Sequence, residues 1–428
     1  MRSRERKLAA YWIAASLVLL AATGCGLSSG DAREEIAIPS TQAGPAADLG
    51  LGPGVRPLSF GPGVKSSPRV SPSGERVAFI LDGYLVEKPL YTQDFRRRTL
   101  PSEFSAEVAE WLPDESLVVL GSEEGATKTT LTPSSLFVAQ KDDSSSNDSP
   151  TVRNLSEKAA AAGAAPGSQL VVTAVVASPT EESPEELLRS RLMLLWGSGD
   201  PVKIYLGHIE GYVTGLSVSP DGRGAVLAIR RDVEGQREEG QFEVLSYRFS
   251  EGQARHVASV PDGMEVLGAP QWTQEGEMYF VAGETSEPGE TAGAPVPYVL
   301  YKITPDSETP EPVRTVGEGF VATGISVSPD GNRLAVLGRR NPGSPTNLYI
   351  LDLTSDTLDA ATNNENMEIK TNPRDLAWSP DGRSVVLVAR GAFSGPKVYD
   401  ASPQSLSSAF YNLYEVPVGS PADAESEG

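Results

Sequence analysis

The sequence predicts an all-β protein, a β-propeller of seven four-stranded blades, on the basis of a repeated turn motif and its regular spacing. Ser-Pro-Asp-Gly occurs at 219–222, 328–331 and 379–382, and Ser-Pro-Ser-Gly at 71–74. An apolar run of strand length follows each copy. Repetition of one turn-and-strand unit indicates that the same supersecondary structure is built several times.

The spacing of the copies gives the number of units. Weaker copies at 110–114, 164–167 and 271–276 bring the repeats to seven. The residues at the proline position are Pro72, Pro113, Pro166, Pro220, Gln274, Pro329 and Pro380. Intervals of 41 to 55 residues are typical of propeller blades. We therefore expect seven blades, with six or eight as alternatives, and the segment 56–60 is available to complete the last blade.

The motif also has a structural interpretation. Proline presets the first turn position, aspartate favours the next, and glycine adopts the left-handed conformation that closes a hairpin. The turn therefore joins the innermost strand of a blade to its second strand. The residue two positions before the proline is apolar in all seven copies: Val70, Trp111, Ala164, Val218, Trp272, Val327 and Trp378. We expect this position to pack between neighbouring blades.

The first 24 residues have the features of a secretory signal peptide. Arg2, Arg4, Arg6 and Lys7 precede an uncharged apolar stretch at 8–22, and Ala22-Thr-Gly leads into Cys25. A basic start, an apolar core and a small-residue cleavage site indicate a segment that is removed on export. The alternative is an uncleaved transmembrane anchor, but the stretch is shorter than the roughly 20 apolar residues that span a bilayer.

The rest of the chain divides by composition. Residues 25–55 are rich in Gly, Ser, Ala and Pro, which predicts a flexible tether. Residues 56–419 hold the propeller, and 420–428 form a short acidic tail. Within the third unit, Ser183-Pro-Glu-Glu has the capping chemistry of a helix start, so a loop helix is predicted at 183–189. The segments 141–150 and 285–297 are predicted to be solvated loops.

These features resemble known families. The Ser-Pro-Asp-Gly repeats followed by apolar strands resemble TolB-type and WD40-like propeller repeats. The residues before Cys25 resemble the lipobox of bacterial lipoproteins, and the whole chain is similar to the propeller part of LpqB-type lipoproteins of Gram-positive bacteria. This resemblance implies that Cys25, the only cysteine, carries acyl chains. It also implies a location at the cell membrane, lipid-anchored on the outer, extracytoplasmic face.

The residue inventory offers little for catalysis. The chain has two histidines, His208 and His256, which we expect to lie at the surface or to pack. We predict no catalytic residues, no metal site and no cofactor, although the acidic loops keep calcium binding as an alternative. A formal net charge of −21 opposes binding to nucleic acid and to anionic lipid headgroups, so the lipid must hold the protein to the membrane.

One group of residues is a candidate ligand site. Ten residues past the proline position, at the end of each second strand, stand Asp82, Glu123, Val176, Arg230, Glu284, Arg339 and Arg390. These strand ends border the channel mouth. Three arginines on one side of that mouth suit a carboxylate, a phosphate or an acidic peptide. The alternative is that the strand ends are solvated and the arginines pair with Asp82, Glu123, Glu284 and other acids.

The sequence thus favours a membrane-anchored binding or scaffolding propeller over an enzyme. Its expected partner, besides the membrane, is an envelope protein, a peptide or a glycan, and the sequence does not specify an oligomeric state. A calcium- or cofactor-dependent enzyme of the lactonase or dehydrogenase kind is one alternative. An accessory of an envelope signalling system, implied by the resemblance to LpqB-type proteins, is another.

Overall fold

Strands joined by tight turns make up the described part of the chain in the computed structural model. The described residues are 54–59, 62–92, 94–98, 100–101, 104–123, 134–139, 152–164, 170–177, 189–196, 202–233, 236–260, 263–273, 275–284, 298–304, 309–313, 316–317, 319–341, 343–364, 367–391 and 410–419. All of them belong to one compact unit, 37–428. Within these ranges no helix is long and apolar enough to cross a membrane.

Several predictions fall outside the described residues. They are the signal peptide, Cys25, the tether up to residue 53, the loops at 141–150 and 285–297, the helix at 183–188 and the tail at 420–428. Residue 189, the predicted last residue of that helix, begins a strand instead.

The strands follow one another in chain order. The first is β1 (Arg56–Pro57). Blade 1 contains β2 (Lys65–Val70), β3 (Arg76–Leu81), β4 (Tyr84–Pro89) and β5 (Arg96–Arg97). Blades 2 and 3 contain β6 (Phe104–Trp111), β7 (Leu117–Glu123), β8 (Ser134–Ala139), β9 (Val152–Ala164), β10 (Leu170–Ala177), β11 (Arg189–Trp196) and β12 (Val202–Glu210). Blade 4 contains β13 (Tyr212–Val218), β14 (Gly224–Val233), β15 (Gln236–Arg248) and β16 (Gln253–Ser259).

The last three blades continue the pattern. Blade 5 contains β17 (Met264–Trp272), β18 (Met278–Glu284), β19 (Val299–Ile303) and β20 (Glu311–Pro312). Blade 6 contains β21 (Val321–Val327), β22 (Arg333–Arg339), β23 (Asn347–Asp352) and β24 (Thr357–Ala360). Blade 7 contains β25 (Met367–Ile369), β26 (Leu376–Trp378), β27 (Ser384–Gly391) and β28 (Asn412–Pro417). Seven antiparallel blades confirm the predicted fold and blade number.

Blades 2 and 3 share one long strand. β9 pairs with β8 through Val152–Ala159 and with β10 through Ala159–Ala164. It is therefore both the outermost strand of blade 2 and the innermost strand of blade 3, which joins the two blades into a seven-stranded sheet. Short alanine and glycine side chains over its second half let the strand lie close to its neighbours.

The ring closes through the segment before the first repeat, as predicted. β1 pairs with β28 as the fourth strand of blade 7, with Arg56 opposite Glu415. The pairing is extended when the Leu58 amide donates to the Leu413 carbonyl at 2.8 Å and the Leu413 amide donates to the Ser59 hydroxyl at 2.9 Å. The two ends of the propeller are thus fastened within one blade.

The core is distributed between the blades. In the described residues, seven clusters of buried apolar side chains each combine residues of two adjacent blades, and the last cluster joins blade 7 to blade 1. The position two residues before the turn proline contributes to every cluster, which confirms its predicted role. Trp111 and Trp378 also donate their ring N–H to the preceding blade, at the carbonyls of Arg69 (2.9 Å) and Ser326 (2.8 Å).

The Ser-Pro-Asp-Gly turns are closed by their own side chains. In the blade 4 turn the Ser219 hydroxyl donates to Asp221 at 2.6 Å, and Asp221 accepts the Arg223 amide at 3.0 Å. Gly222 has a φ of 67° and donates its amide to the Ser219 carbonyl. Ser328 and Asp330 pair in the same way, as do Ser379 and Asp381. This arrangement is an Asx-type turn stabilised by a serine.

We expect these turns to make the stability of the propeller dependent on pH. The Ser379 hydroxyl is the largest cause of the lowered pKa of Asp381. For Asp221 and Asp330, burial raises the pKa most, but the serine and backbone hydrogen bonds together outweigh it, so the pKa is again lowered. Stabilisation from a carboxylate with a lowered folded-state pKa is present above its unfolded pKa and is lost as the pH falls through the folded value.

The measurement is urea unfolding between pH 7 and pH 3. We expect the free energy of unfolding to fall below about pH 4, and the triple variant Asp221→Asn/Asp330→Asn/Asp381→Asn to lose less stability over that range than the natural chain. The variant Asp359→Asn, at an exposed position of β24, is the control. An identical pH profile in the natural chain and the triple variant would contradict the prediction.

The innermost strands carry a bulge at one common place. Each of blades 1 to 6 shows a register shift between its first and second strands. The bulged residues include Ser67, Glu107, Ala160, Thr214, Gly268 and Thr323. A bulge leaves one residue out of the ladder and redirects its side chain, so this ring of bulges sets which groups face the channel.

Candidate functional site

Blade 7 departs from the other blades at this place. Its innermost strand is split into β25 and β26 by the residues Lys370–Asp375, hereafter the channel segment. Asn372 shapes the segment by accepting the Arg374 amide on its side chain (2.9 Å) and the Asp375 amide on its carbonyl (2.9 Å). Pro373 has no amide hydrogen for a strand ladder, which explains why the strand is interrupted here.

The channel segment lies against the innermost strands of blades 5 and 6. A Cβ atom placed on Gly268 would be 2.7 Å from the Cβ of Pro373, and one placed on Gly324 would be 3.0 Å from its Cα. Gly268 also has a φ of 78°. Glycine is therefore required where the segment packs, and Pro373 occupies part of the central channel.

Asp375 ties the segment to blade 1. It accepts the Ser67 amide at 2.7 Å and forms an ion pair with Lys370 at 3.1 Å. Its side chain is fully buried. Burial raises the pKa of Asp375, and Lys370 acts in the opposite direction. Two partners at a buried carboxylate hold the segment in one position.

Arg69 adds a second attachment. Its guanidinium donates to the Arg374 carbonyl at 3.0 Å and to Glu110 at 2.7 Å. Arg69 belongs to blade 1, Glu110 to blade 2 and Arg374 to blade 7, so this network joins three consecutive blades of the ring.

The side chain of Arg374 is not used in these attachments. It is partly buried, and it makes no hydrogen bond or ion pair with any described residue. Burial lowers the pKa of Arg374; Glu107 raises it and Arg69 lowers it. The guanidinium therefore lies among charged groups inside the channel without a direct partner in the described part of the chain.

Tyr212 is the first residue of the innermost strand of blade 4. The residue is buried at the start of β13, and its hydroxyl has no hydrogen-bond partner within the described ranges. Burial and, to a smaller extent, the charge of Glu107 raise the pKa of Tyr212 to about 12 against the opposing charge of Arg374. Arg374, Glu107 and Tyr212, from blades 7, 2 and 4, thus share one electrostatic environment.

The three arginines predicted from the sequence lie where expected along their strands. Each stands at or near the end of a second strand, on the face where the innermost strands begin, hereafter the channel-mouth face. Arg230 is paired with Tyr212 in the ladder, Arg339 with Val321, and Arg390 with Glu368. They belong to blades 4, 6 and 7, as predicted.

Two of these arginines are held by side chains of their own blade. Arg390 forms an ion pair with Glu368 at 2.6 Å, and its guanidinium lies 5.0 Å from the ring centre of Tyr411. The Tyr411 hydroxyl donates to Glu368 at 2.6 Å, which is the main cause of the lowered pKa of Glu368. Arg339 donates to the Thr346 hydroxyl at 2.9 Å.

The acids at the corresponding positions have other roles. Asp82 accepts the Val64 amide at 2.7 Å, and Glu284 is exposed at the end of β18. The Glu123 side chain is not among those that the structure describes. The acid that pairs with Arg390 is therefore Glu368, from the innermost strand of its own blade, rather than one of the three acids at the matching positions.

The histidines lie far out on the blades. His208 is exposed on β12 with its ring 5.3 Å from that of Tyr205, and His256 is exposed on β16 at 3.0 Å from the Ser259 hydroxyl. Both belong to outermost strands, which agrees with the predicted surface position. In the described residues no group of three or more His, Cys, Asp or Glu side chains is placed to hold a metal ion.

The sequence reasoning missed the channel segment, Arg374 and Tyr212. A signal for the segment was present: Asn372-Pro373 lies just before the blade 7 motif, where an innermost strand was expected. Counting six residues back from the turn proline also selects Glu107, Thr214, Gly268, Thr323 and Arg374. These positions are the bulges of blades 2, 4, 5 and 6 and the channel segment of blade 7.

Comparison with solved structures places the fold among β-propellers. An oligogalacturonate lyase from Vibrio parahaemolyticus aligns with a TM-score of 0.53 and 13% identity, covering 85% of this chain and 93% of the other. An oligogalacturonate lyase in complex with manganese aligns with a TM-score of 0.50 and 10% identity, covering 83% and 90%. At these identities the similarity concerns the fold alone.

A putative TolB from Agrobacterium tumefaciens also aligns, with a TM-score of 0.38 and 12% identity over 84% of this chain and 92% of the other. No protein-family model and no curated protein sequence matches the chain. The seven antiparallel blades, joined at their repeated Ser-Pro-Asp-Gly turns, show that this protein is a β-propeller.

Proposed function

We propose that the protein is a binding or scaffolding propeller, held on the outer face of the cell membrane by lipid on Cys25, which binds an envelope protein, peptide or glycan on its channel-mouth face. The observation that carries the proposal is the arrangement around Arg390. Its guanidinium is fixed by Glu368 and Tyr411, yet 39% of the side chain remains exposed. A fixed arginine beside a tyrosine is the kind of group that contributes most to binding at interfaces.

The fixed geometry lowers the entropic cost of binding. An arginine that is already oriented loses less side-chain freedom when it contacts a partner. Arg339 is fixed in the same way by Thr346, and Arg230 stands at the matching position of blade 4. In a chain with a net charge of −21, a face that presents three arginines favours partners with carboxylate or phosphate groups.

An enzyme is the second candidate, because two of the aligned structures are oligogalacturonate lyases. Their name points to an anionic saccharide, which the arginines of the channel-mouth face would also suit. Incubating the purified protein with oligogalacturonate and following the unsaturated product by ultraviolet absorbance tests this candidate.

The binding proposal is tested by affinity capture. The full chain, purified in detergent, is used as bait with solubilised envelopes, and the retained protein or glycan is identified by mass spectrometry. The variant Arg230→Ala/Arg339→Ala/Arg390→Ala is compared with the control Arg189→Ala/Arg191→Ala/Arg255→Ala, which removes three exposed arginines from outer strands. We expect the first variant to retain at least ten-fold less partner and the control to retain it fully.

Equal retention by the two variants would exclude the channel-mouth face as the binding surface. The anchor is tested separately by cell fractionation. The natural chain should sediment with membranes and be released by detergent, whereas Cys25→Ala should no longer be membrane-bound through lipid. A Cys25→Ala protein that still fractionates with membranes in the same way as the natural chain would contradict the lipid anchor.

A further inference from the structure

We propose that a pocket at the channel-mouth end of blade 6 binds an aromatic side chain that stands next to an acidic residue in a peptide partner. This inference rests on the proposed function and deepens it, because it selects a peptide among the proposed partners and names the side chain that enters the face. It is carried by a cavity of about 330 Å³ and by the residues that line it: Val316, Phe320, Arg340, Tyr349 and Leu358.

The strands of blade 6 place the pocket on the channel-mouth face. Val321, the first residue of β21, pairs with Arg339, the last residue of β22. Phe320 directly precedes this pair in the chain and Arg340 directly follows it, so both lie at the end of the blade where its innermost strand begins. The pocket is therefore next to Arg339, one of the three arginines of the proposed binding surface.

Two aromatic rings form a fixed wall of the pocket. The rings of Phe320 and Tyr349 are in edge-to-face contact, with centres 5.1 Å apart and an angle of 74° between their planes. Both residues are buried in the cluster that joins blades 5 and 6. The Phe320 ring covers Gly338, where an added Cβ atom would lie 2.5 Å from the ring. The wall therefore exists before a ligand binds, which lowers the entropic cost of binding.

Two aliphatic side chains leave apolar surface open to the pocket. Val316 and Leu358 pack against the same cluster but are only partly buried. A dry apolar cavity of about 150 Å³ holds a benzene molecule, so a cavity of about 330 Å³ holds the ring of a phenylalanine or a tyrosine with part of its backbone. A ring bound here removes apolar surface from water and packs against two other aromatic rings.

The lining favours a peptide over a glycan. Four of the five lining residues have aromatic or aliphatic side chains. A saccharide needs donors and acceptors for its many hydroxyl groups, because a hydroxyl that loses water without gaining a hydrogen bond is unfavourable. The lining offers only the Tyr349 hydroxyl and the Arg340 guanidinium for that purpose, so the ring of an aromatic residue fits it better than a sugar.

Arg340 supplies the charge complementarity. Its side chain is exposed and makes no ion pair or hydrogen bond with any residue that the structure describes. Its neighbour Arg339 already donates to the Thr346 hydroxyl. Arg340 is therefore the guanidinium at this strand end that can form a bidentate pair with a carboxylate of the partner.

The described acids closest to the lining residues in the sequence do not neutralise Arg340. Asp352 and Asp356 border the turn after β23, at the opposite end of the blade, and Asp352 accepts the amides of that turn. Asp359, the residue after the lining leucine, is exposed and alternates to the other face of β24. Glu311 of blade 5 lies opposite a lysine of β19. An acidic residue beside the aromatic one therefore completes the charge pairing.

The test uses four capped dipeptides: acetyl-Asp-Phe-amide, acetyl-Asn-Phe-amide, acetyl-Asp-Ala-amide and acetyl-Asn-Ala-amide. They present the ring and the charge together, each of them alone, and neither. Each is titrated into the full chain in detergent, and binding is followed by saturation-transfer NMR of the peptide protons, which detects weak binding.

Two variants change the pocket, and each has a matched control. Leu358→Trp fills the cavity, and Thr357→Trp adds the same ring at the preceding, exposed position of β24. Arg340→Gln removes the charge, and Arg383→Gln removes an exposed arginine from the turn before β27. Thermal unfolding without peptide checks that each variant is folded.

We expect acetyl-Asp-Phe-amide to bind saturably, acetyl-Asn-Phe-amide to bind several-fold more weakly, and the two alanine peptides to show no saturable binding. Leu358→Trp should weaken the binding of acetyl-Asp-Phe-amide at least ten-fold, and Arg340→Gln should reduce it to the level of the asparagine peptide. Both controls should bind as the natural chain does. If Leu358→Trp does not fold, Arg340→Gln, at an exposed position, decides.

The proposal is overturned if acetyl-Asp-Phe-amide does not bind saturably, if it binds no more tightly than the alanine peptides, or if a folded pocket variant binds it as the natural chain does. This result is separable from the capture experiment, because the pocket variants keep Arg230, Arg339 and Arg390. Normal capture without dipeptide binding would remove the pocket and leave the proposed function standing. Dipeptide binding that requires the pocket, with no captured partner, would remove the proposed function and leave the pocket as a peptide site.

Discussion

Deleting residues 1–59 should lower the free energy of unfolding by at least about 4 kcal/mol relative to deleting residues 1–53. The six residues by which the two truncations differ include β1, the fourth strand of blade 7. Leu58 and Val55 are buried, at 2% and 3% exposure, in the clusters that join blade 7 to blades 1 and 6. Their removal leaves two cavities and an open edge on β28.

The effect is expected to be large because β1 closes the ring. In a propeller each blade buries both faces against its neighbours, so an unstable last blade exposes one face of blade 1 and one of blade 6. Urea unfolding of the two truncated chains measures the difference, provided that each unfolds in a single transition.

Point variants separate the stabilising contacts of the segment 54–59 from the effect of shortening the chain. We expect Leu58→Ala to cost about 2–4 kcal/mol, whereas Val64→Ala, at an exposed position, should change the stability by less than about 0.5 kcal/mol. If the two truncations unfold at the same urea concentration, ring closure by β1 is not a major source of stability.

The fold could be predicted because each repeat builds its turn from residues that are close together in the sequence. Ser219, Pro220 and Asp221 form their turn with one another, so the motif carries its structure wherever it occurs. Trp111 and Trp378 recur at a fixed distance from that turn and make the same hydrogen bond to the preceding blade. Repetition of a local unit also determines the order of the strands, because consecutive strands pair in a meander.

The attachments of the channel segment could not be predicted in the same way because they depend on groups distant in sequence. Asp375 and Ser67 are 308 residues apart, in blades 7 and 1, and only closure of the ring brings them together. Arg390 shows the same limit: its position on the strand follows from the repeat, but its partner Glu368 lies in β25, outside the repeated motif. The spacing of the repeat predicts where a residue lies along its strand, and the partners of its side chain follow only from the tertiary structure.

Replacing Glu87 by glutamine should destabilise the propeller by about 3–5 kcal/mol. Glu87 is fully buried in β4 of blade 1 and forms ion pairs with Arg76, at 2.5 Å, and with Arg98. Arg98, just after the two-residue strand β5, is itself almost completely buried. Glutamine keeps the shape but removes the negative charge that pairs with Arg98 and Arg76, which weakens the compensation of a buried guanidinium.

The double variant Glu87→Leu/Arg98→Met should recover part of that loss. It removes both buried charges together, and Arg76, which is partly exposed, can remain solvated. Buried ion pairs replaced by apolar residues of similar size are often no less stable than the original pair. Urea unfolding of the single and double variants, arranged as a double-mutant cycle, measures the coupling between the two residues.

The control is Glu251→Gln, which breaks the exposed pair between Glu251 and Arg255 and should cost less than about 0.5 kcal/mol. A similarly small cost for Glu87→Gln would mean that Arg98 finds another partner or reaches water. A large cost without recovery in the double variant would mean that the pair specifies the geometry of blade 1. That outcome is physically reasonable, because β5 has only two residues in its ladder with β4. The hydrogen bond that Arg98 donates to Glu87 then fixes the position of β5, which its short ladder with β4 holds only weakly.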